Sequence, residues 1–400
     1  MFKAAFYKNN RINLLTCVDA DCIVVTAAGL LQKSADTSFS FKQDTHFLYL
    51  TGLSLPDYVL VITNNQHYLV APKRDAHRDV WEGSVDVGSL QVTSGVDAVL
   101  SYYQGQKLLR TLVQNKVVGM ILPAKSYVSA YGMYTNPARS VLYRRIKRCG
   151  PKQVIDIRSS LGALRQIKTD DEIAAIQQAV HITKVGIDYV KKHIKKVHNE
   201  RDIEHMLTYS FGMNGATGHA YQPIIASDGN ATTIHYVSNN APLDDATTVL
   251  FDVGAEYNNY AADISRVYAL KQPSERYKQV YNHVKDIQQE LVRSLKPGST
   301  MQDLEQLSLK LIQNSVKSLG LKNDVRSYYP HAVSHHLGLD VHDAADYTMP
   351  LKAGMVITIE PGLYISEEGI GVRIEDDVLI TEAGARNLSE NIPYDLLYYL

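Results

Sequence analysis

The chain has 400 residues, 45% of them hydrophobic and 21% charged, and its 41 basic and 42 acidic side chains leave a net charge of −1. That length accommodates two domains with their own cores and needs no disulfide or structural metal. The balanced charge excludes a general attraction to nucleic acid or to an anionic membrane.

From the N-terminus, MFKAAFYKNNRINLL has no sustained apolar core of a secretory signal and no Arg- and Ser-rich transit pattern. No uncharged apolar run approaches the roughly 18–20 residues of a membrane span. DCIVVTAAGLL reads instead as a buried strand entering a turn. The three cysteines, Cys17, Cys22 and Cys149, have no zinc or redox spacing and read as reduced thiols, which places the chain in the cytoplasm. YVLVITNNQHYLVAP reads as a hairpin joined at Asn64-Asn65. KVVGMIL and QVIDIRS are further strands, and ARSVLYRRIKRCG is a helix with a basic end and a closing glycine.

A boundary is expected near Lys168, giving domains 1–167 and 168–400. Thr169-x-x-Glu172 is a capping box, and Ile173, Ile176, Val180 and Val185 follow at helical spacing. A second helix is expected at NERDIEHMLTYSF. Two more are expected at SERYKQVYNHVKDIQQELVRSLKPG and TMQDLEQLSLKLIQNSVKSLG. Strands are expected from Tyr221 and again from about Tyr328 to Thr381. Interleaved strands and helices make the second part an α+β domain with a sheet covered by helices.

Two strand pairs carry acids. In TTVLFDVGAEYNNYAADISRVYAL, a turn at Asn258-Asn259 pairs Tyr257 with Tyr260 and Asp252 with Ser265. Side-chain alternation then puts Asp252, Ser265 and Asp263 on one face, with the two aspartates roughly 7–8 Å apart at the backbone. In MVITIEPGLYISEEGIGVRIEDDVLIT, a turn at Glu367-Glu368 sets Glu360 opposite Glu375, unless a bulge at Pro361-Gly362 shifts the register. Arg373, Glu375 and Asp377 share a face. These acids sit inside runs that favour burial, and buried carboxylates need cations. Arg266 and Arg373 offset two charges at most. Two divalent ions balance all four, so a dinuclear metal site is the economical reading.

The stretch YPHAVSHHLGLDVHD, residues 329–343, holds four of the chain's 14 histidines. With ATTIHYVSN, LFDVGAEYNNYAADISR, ITIEPGLYI and GVRIEDD it resembles the pita-bread metallopeptidases, in their aminopeptidase P and prolidase branch. FSFKQDTHFLYLTGLSLPDYVLVI resembles the smaller creatinase-like domain of that family, in its aminopeptidase P version. The resemblance implies a creatinase-like α/β domain followed by a pita-bread catalytic domain. It implies five metal ligands: Asp263 and Glu375 bridging two ions, Asp252 on one ion, and His335 and Glu360 on the other. An oxygen-rich site of this kind suits Mn²⁺ and admits Co²⁺, Zn²⁺ or Fe²⁺.

The implied activity is hydrolysis of the bond between a first residue and a following proline, by a hydroxide bridging the ions. Glu360 shuttles the proton, His342 lies beside the scissile carbonyl and His235 steadies the substrate. His331, Tyr364 and Arg373 surround the proline. His336 matches no functional residue and reads as packing or solvent-facing. Trp81 resembles a position that reaches a neighbouring subunit in oligomeric relatives, so a homo-oligomer is expected; its other reading is a core tryptophan. The family's His-Gly is His331-Ala332 here, which adds a methyl group at the pocket. The rival activities are that of a prolidase, restricted to dipeptides, and a non-catalytic binding module. A methionine aminopeptidase would not need the extra domain, and creatinase lacks the metal acids.

Overall fold

The computed structural model describes residues 2–73, 79–81, 83–124, 128, 132–394 and 396. The chain divides into two compact units, residues 1–164 and 165–400.

In the first unit, six strands form one sheet: β1 (Cys22–Thr26), β2 (Val59–Ile62), β3 (His67–Val70), β4 (Ala98–Leu100), β5 (Val117–Met120) and β6 (Gln153–Asp156). Their order is β4-β3-β2-β1-β5-β6, with β2 antiparallel to β1 and β3, and the other neighbouring pairs parallel. The expected hairpin closes through Thr63 and Gln66, beside Asn64-Asn65, with Ile62 paired to His67. Every residue of β1 is buried, as a strand covered on both faces requires. Helices α1 (Ala4–Cys17), α2 (Tyr102–Val113) and α3 (Ala138–Arg148) belong to this unit. Leu109 and Val113 of α2 and Leu142 and Ile146 of α3 join Val24, Val61 and Val118 in its core. α3 ends on Arg145, Lys147 and Arg148, cations that complement the negative end of the helix dipole.

The second unit opens with α4 (Asp170–His193), started by the expected Thr169–Glu172 capping box. Ile176 and Val180 are buried, while Ile173 and Val185 are partly covered. α5 (Glu200–Met213) packs on it where Gly186 leaves room for the Phe211 ring. One three-stranded sheet joins β7 (Ile224–Ser227), β8 (Thr248–Val253) and β11 (Ile264–Ala269). Between the last two, the chain turns through β9 (Ala255–Tyr257) and β10 (Tyr260–Ala261). The second ribbon contains β12 (Val356–Ile359), β13 (Gly362–Ile365), β14 (Ile370–Arg373), β15 (Asp376–Thr381) and the edge strand β16 (Gly384–Asn387). Helices α6 (Glu275–Ser294) and α7 (Met301–Ser318) cover these strands through Val280, Val284, Leu291 and Ile312, packed with Val267, Ile357 and Val372. The pita-bread expectation and its smaller companion domain are thus met.

One expectation is corrected. Strands do not return at Tyr328: after a short helix at Val325–Tyr328, residues 329–355 are turns and bends, and residues 333–337 bond to β12 and Glu360 through the Leu337–Val356, Thr358–His335 and Glu360–Val333 backbone pairs. Pro330 removes a donor, and Asp343 diverts another, its carboxylate accepting from the Asp340 amide. Such local bonds compete with ladder pairing. Among the described residues no helix is long and apolar enough to cross a membrane.

Candidate metal centre

The first pair of acids comes from the β8–β11 hairpin. Asn258 and Asn259 both adopt positive φ (51° and 67°), the backbone of a two-residue hairpin turn. Tyr257 pairs with Tyr260 and Asp252 with Ser265, as the sequence predicts. Gly254 has no room for a side chain, since a Cβ there would lie 1.7 Å from the Ala262 carbonyl oxygen. That close approach carries Asp263 inward beside Asp252, and both are buried.

The second pair comes from the β12–β15 ribbon. Gly362 pairs with Arg373 on one side of the interruption and Ile359 with Asp376 on the other, so Pro361-Gly362 leaves the register unshifted. Glu360 and Glu375 occupy the break itself. Their backbone amides bond elsewhere, Glu360 to the Val333 carbonyl at 2.9 Å and Glu375 to the Ser265 carbonyl at 3.1 Å. The Asp263 amide donates to Asp377 at 3.1 Å. These bonds draw the two hairpins together.

His335 reaches the same place from the irregular segment. Its amide donates to Thr358 Oγ1 and its carbonyl accepts from the Thr358 amide at 2.9 Å. Nδ1 lies 3.2 Å from the His336 carbonyl, which assigns the ring proton to Nδ1 and turns Nε2 toward the acids. Nε2 is 3.4 Å from Asp263 and 3.3 Å from Glu360. Asp263, His335 and Glu375 each offer an atom within 4.8 Å of the others.

The electrostatics are uncompensated. Burial pushes Glu360 up to about 7 and, with the charges of Asp263, Glu360 and Asp252, holds Glu375 well above the carboxylate range. Burial also raises Asp252, against the pull of Arg373. At His335 burial works downward, but the hydrogen bond to Asp263 and the charge of Glu360 raise it to about 9. Among the described residues the one arginine on the cluster is Arg373, whose guanidinium lies 2.5 Å from Asp252, 2.9 Å from Ser265 Oγ and 4.0 Å from Glu375. Arg266, expected to share that task, faces away and binds Asp376 at 2.6 Å. Ser265 and Arg266 are consecutive, so alternation along the strand puts them on opposite faces.

Asp376 shows what compensation looks like: it also accepts from Ser389 and Tyr394 at 2.6 Å each, and from Gln288. The cluster of four carboxylates and one imidazole instead retains a charge deficit that one arginine does not cover. That donor set fits hard divalent ions, whose binding displaces the stored protons.

Tyr221 was not found in the sequence. Its hydroxyl lies 2.5 Å from Asp252 and 2.6 Å from Asp263, so one proton faces two acceptors. It stands in an irregular segment with no periodic pattern to point at it. Asp377 was placed on the right face without a role. It is fully buried, receives the Asp263 amide, and keeps one oxygen without a hydrogen bond.

A cleft of about 300 Å³ opens over the cluster, lined by all five predicted ligands and by His235, His342, Arg373 and Tyr221. The His342 ring lies tilted against that of His335, centroids 4.1 Å apart. His331 and Tyr364 stand behind this lining, joined at 2.9 Å, with His331 Nδ1 3.7 Å from Glu360. Burial lowers His331 to about 4. His336 is buried with Nδ1 unpartnered and its ring edge-on to Tyr347, so it is a packing residue rather than a solvent-facing one. The loop is held by an ion network, Arg165 at 2.5 Å and Lys168 at 3.2 Å from Asp343. Gly338 makes room for that carboxylate, since a Cβ would lie 2.3 Å from it. Trp81 is 78% exposed, which rules out the core reading.

Residues 174–382 match the profile of metallopeptidase family M24, and residues 7–120 match the aminopeptidase P N-terminal domain. Xaa-Pro aminopeptidase 3 of Homo sapiens is 30% identical, the alignment covering 94% of this chain and 79% of the human protein. Xaa-Pro aminopeptidase of Escherichia coli K12 is 29% identical over 92% of this chain and 90% of its own. Among solved structures, a putative aminopeptidase P from Bacillus anthracis superposes with a TM-score of 0.89 at 31% identity, covering 99% of this chain and 97% of that one. E. coli aminopeptidase P with the inhibitor Pro-Leu gives 0.86 at 27% identity, covering 98% and 96%. With both units matched in chain order by whole-length relatives, the chain belongs to metallopeptidase family M24 and is a metal-dependent aminopeptidase of the aminopeptidase P kind.

Proposed function

We propose that the chain removes the first residue from peptides with proline in second position, using two divalent ions held by Asp252, Asp263, His335, Glu360 and Glu375. In this reading Asp252, Asp263, His335, Glu360 and Glu375 would together hold the ions, with Asp263, His335 and Glu375 offering atoms within 4.8 Å of one another. The supporting observation is the buried cluster of four carboxylates and one imidazole served by a single arginine. When bound, the ions supply a nucleophile at neutral pH and polarise the scissile carbonyl. Glu360 takes up a proton and returns it to the leaving proline nitrogen. His342, beside His335 at the cleft, donates to the developing oxyanion. His235 steadies the peptide. His331, Tyr364 and Arg373 form a linked set, with Arg373 2.9 Å from the Tyr364 hydroxyl, and bound the proline ring.

The oxygen-rich donor set favours Mn²⁺, with Co²⁺, Zn²⁺ and Fe²⁺ as alternatives. We assign residues 1–167 to the creatinase-like domain and 168–400 to the peptidase domain. Free Cys17, Cys22 and Cys149 support a reducing, cytoplasmic location, and the exposed Trp81 supports a homo-oligomer. The test is hydrolysis by the purified, Mn²⁺-loaded protein of Xaa-Pro-Yaa tripeptides beside Xaa-Pro dipeptides. Tripeptide turnover is expected; turnover of dipeptides alone makes the chain a prolidase, and no turnover with full metal content makes it a binding module.

A further inference from the structure

The first unit holds an array of cations that none of the peptidase chemistry uses. A groove of about 690 Å³ runs between α2 and α3, and its charged lining is entirely basic: Arg110, Arg144, Arg145 and Arg148. Among the described residues none of the four has a carboxylate at ion-pair distance; Arg145 instead lies over the Tyr102 ring, 5.6 Å from its centroid. Helix-end electrostatics account for one cation at the end of α2 and some at the end of α3. They do not account for four guanidinium groups lining one groove, because like charges at close range repel.

A second observation points to a missing acceptor. Gln106 lines the same groove, and its amide Nε2 is buried with no hydrogen-bond partner. A buried donor left unpaired costs about 1–3 kcal/mol, and a ligand oxygen is one partner that would remove that cost. A third observation concerns what adjoins the groove. Tyr102, Val141 and Arg145 also line a cavity of about 430 Å³. That cavity lies beyond the C-terminal ends of β1 and β3, where open α/β sheets take ligands. Leu30, Val59, Val70 and Leu142 make it largely aliphatic, with Asp57 and Lys73 among its polar groups. Both volumes fall within the roughly 300–1,000 Å³ of small-molecule pockets.

We infer that the groove and the cavity together form a binding site for a nucleoside polyphosphate. The phosphates lie among Arg110, Arg144, Arg145 and Arg148, where planar guanidinium forks match phosphate oxygens, and Gln106 donates to one of them. The nucleoside lies across Tyr102 in the adjoining cavity, where Asp57 accepts from its hydroxyl or amino groups.

The test is fluorescence anisotropy of N-methylanthraniloyl-ADP titrated with the full-length, metal-loaded protein, at low and high salt. Saturable binding that weakens with salt is expected. Arg110→Glu/Arg144→Glu, at two exposed positions, is expected to weaken binding at least tenfold, and Gln106→Leu a few-fold, while Lys33→Glu leaves it unchanged and all three keep their Xaa-Pro hydrolysis. Unlabelled ADP is expected to compete better than inorganic tripolyphosphate. Absence of binding at millimolar protein overturns the proposal. So does undiminished binding to Arg110→Glu/Arg144→Glu, which would place the phosphates on the active-site ions. Tripolyphosphate competing as well as ADP overturns the assignment of the nucleoside to the cavity.

Discussion

Glu375 and Asp376 are neighbours in the chain, both buried, and they face opposite ways into opposite circumstances. Asp376 meets Arg266, Ser389, Tyr394 and Gln288, so its charge is answered on every side. Glu375 meets one hydroxyl, Ser265 Oγ at 2.7 Å, an arginine at the limit of ion pairing, and three other acids whose charges raise it. Burial is the same; only the partners differ. A buried acid closed by protein groups is architecture, whereas one left open in company with others is a place for metal. The distinction lies in partner count, not in residue type or depth.

The largest expected effect comes from breaking the open set. Asp263→Ala should abolish metal uptake and peptide hydrolysis, exceeding the roughly 10–100-fold loss typical of removing an outer partner of a ligand. The same substitution should leave the metal-free protein as stable as before or more so, because it removes one of several repelling charges. Metal analysis, turnover and chemical unfolding of one variant decide this; normal metal content would sink the ligand assignment. Asp376→Ala tests the closed set and should do the reverse. Leaving Arg266 without its carboxylate should cost about 3–5 kcal/mol of stability in denaturant unfolding.

Next in size is a dependence on pH. Glu360 is raised to about 7 from 4.5 and His335 to about 9 from 6.5. Both therefore bind protons more tightly when folded. Their contribution is fully present below the unfolded-state values and is lost as pH rises through the folded ones. Metal-free protein should lose stability between about pH 7 and 9, by an amount on the order of 3 kcal/mol; below that window His331 and His336, which burial lowers to about 4, pull the opposite way. Saturating Mn²⁺ should flatten or reverse the trend, since ions replace the protons. Urea midpoints at several pH values, with and without metal, measure it; a metal-free profile that rises between about pH 7 and 9 would contradict the open-set description.

Smaller still, Tyr364→Phe removes a hydroxyl shared by His331 and Arg373 and should lower kcat/KM by about tenfold without loss of bound metal, a single hydrogen bond to a charged group being worth about 1.5–3 kcal/mol. The smallest effect should be that of His336→Phe. It removes an unpartnered buried nitrogen, so stability should change by less than about 1 kcal/mol and metal content not at all. Lost metal would make His336 a ligand.

The pairing of the acids was legible because hairpin turns fix register. Asn258-Asn259 and Glu367-Glu368 each set the count, and strand alternation did the rest. Alternation also contained the correct orientation of Arg266, opposite Ser265, although composition alone suggested it as a counter-ion. Tyr221 was not legible, because it stands 31 residues before Asp252 in a segment whose course only tertiary structure determines. The loop of residues 329–355 looked like strand because its apolar residues are spaced closely, yet Asp340 and Asp343 redirect its backbone bonds. The groove arginines of α2 and α3 were visible only in part, as a basic helix end; that among the described residues no acid answers them is a fact of packing.

The interruption shared by β12–β13 and β14–β15 bears on how such a chain can evolve. Because the two halves of that ribbon keep one register across the break, Glu360 and Glu375 are locked opposite each other by counting alone. A residue gained or lost at the tip, around Ser366–Glu368, lies outside that count and can be absorbed as loop. One gained or lost between Glu360 and the tip, on either arm, offsets the two acids and turns one of them out of the cleft. Length variation along this ribbon is therefore admissible at its tip, or in matched pairs on both arms, and lethal to catalysis elsewhere.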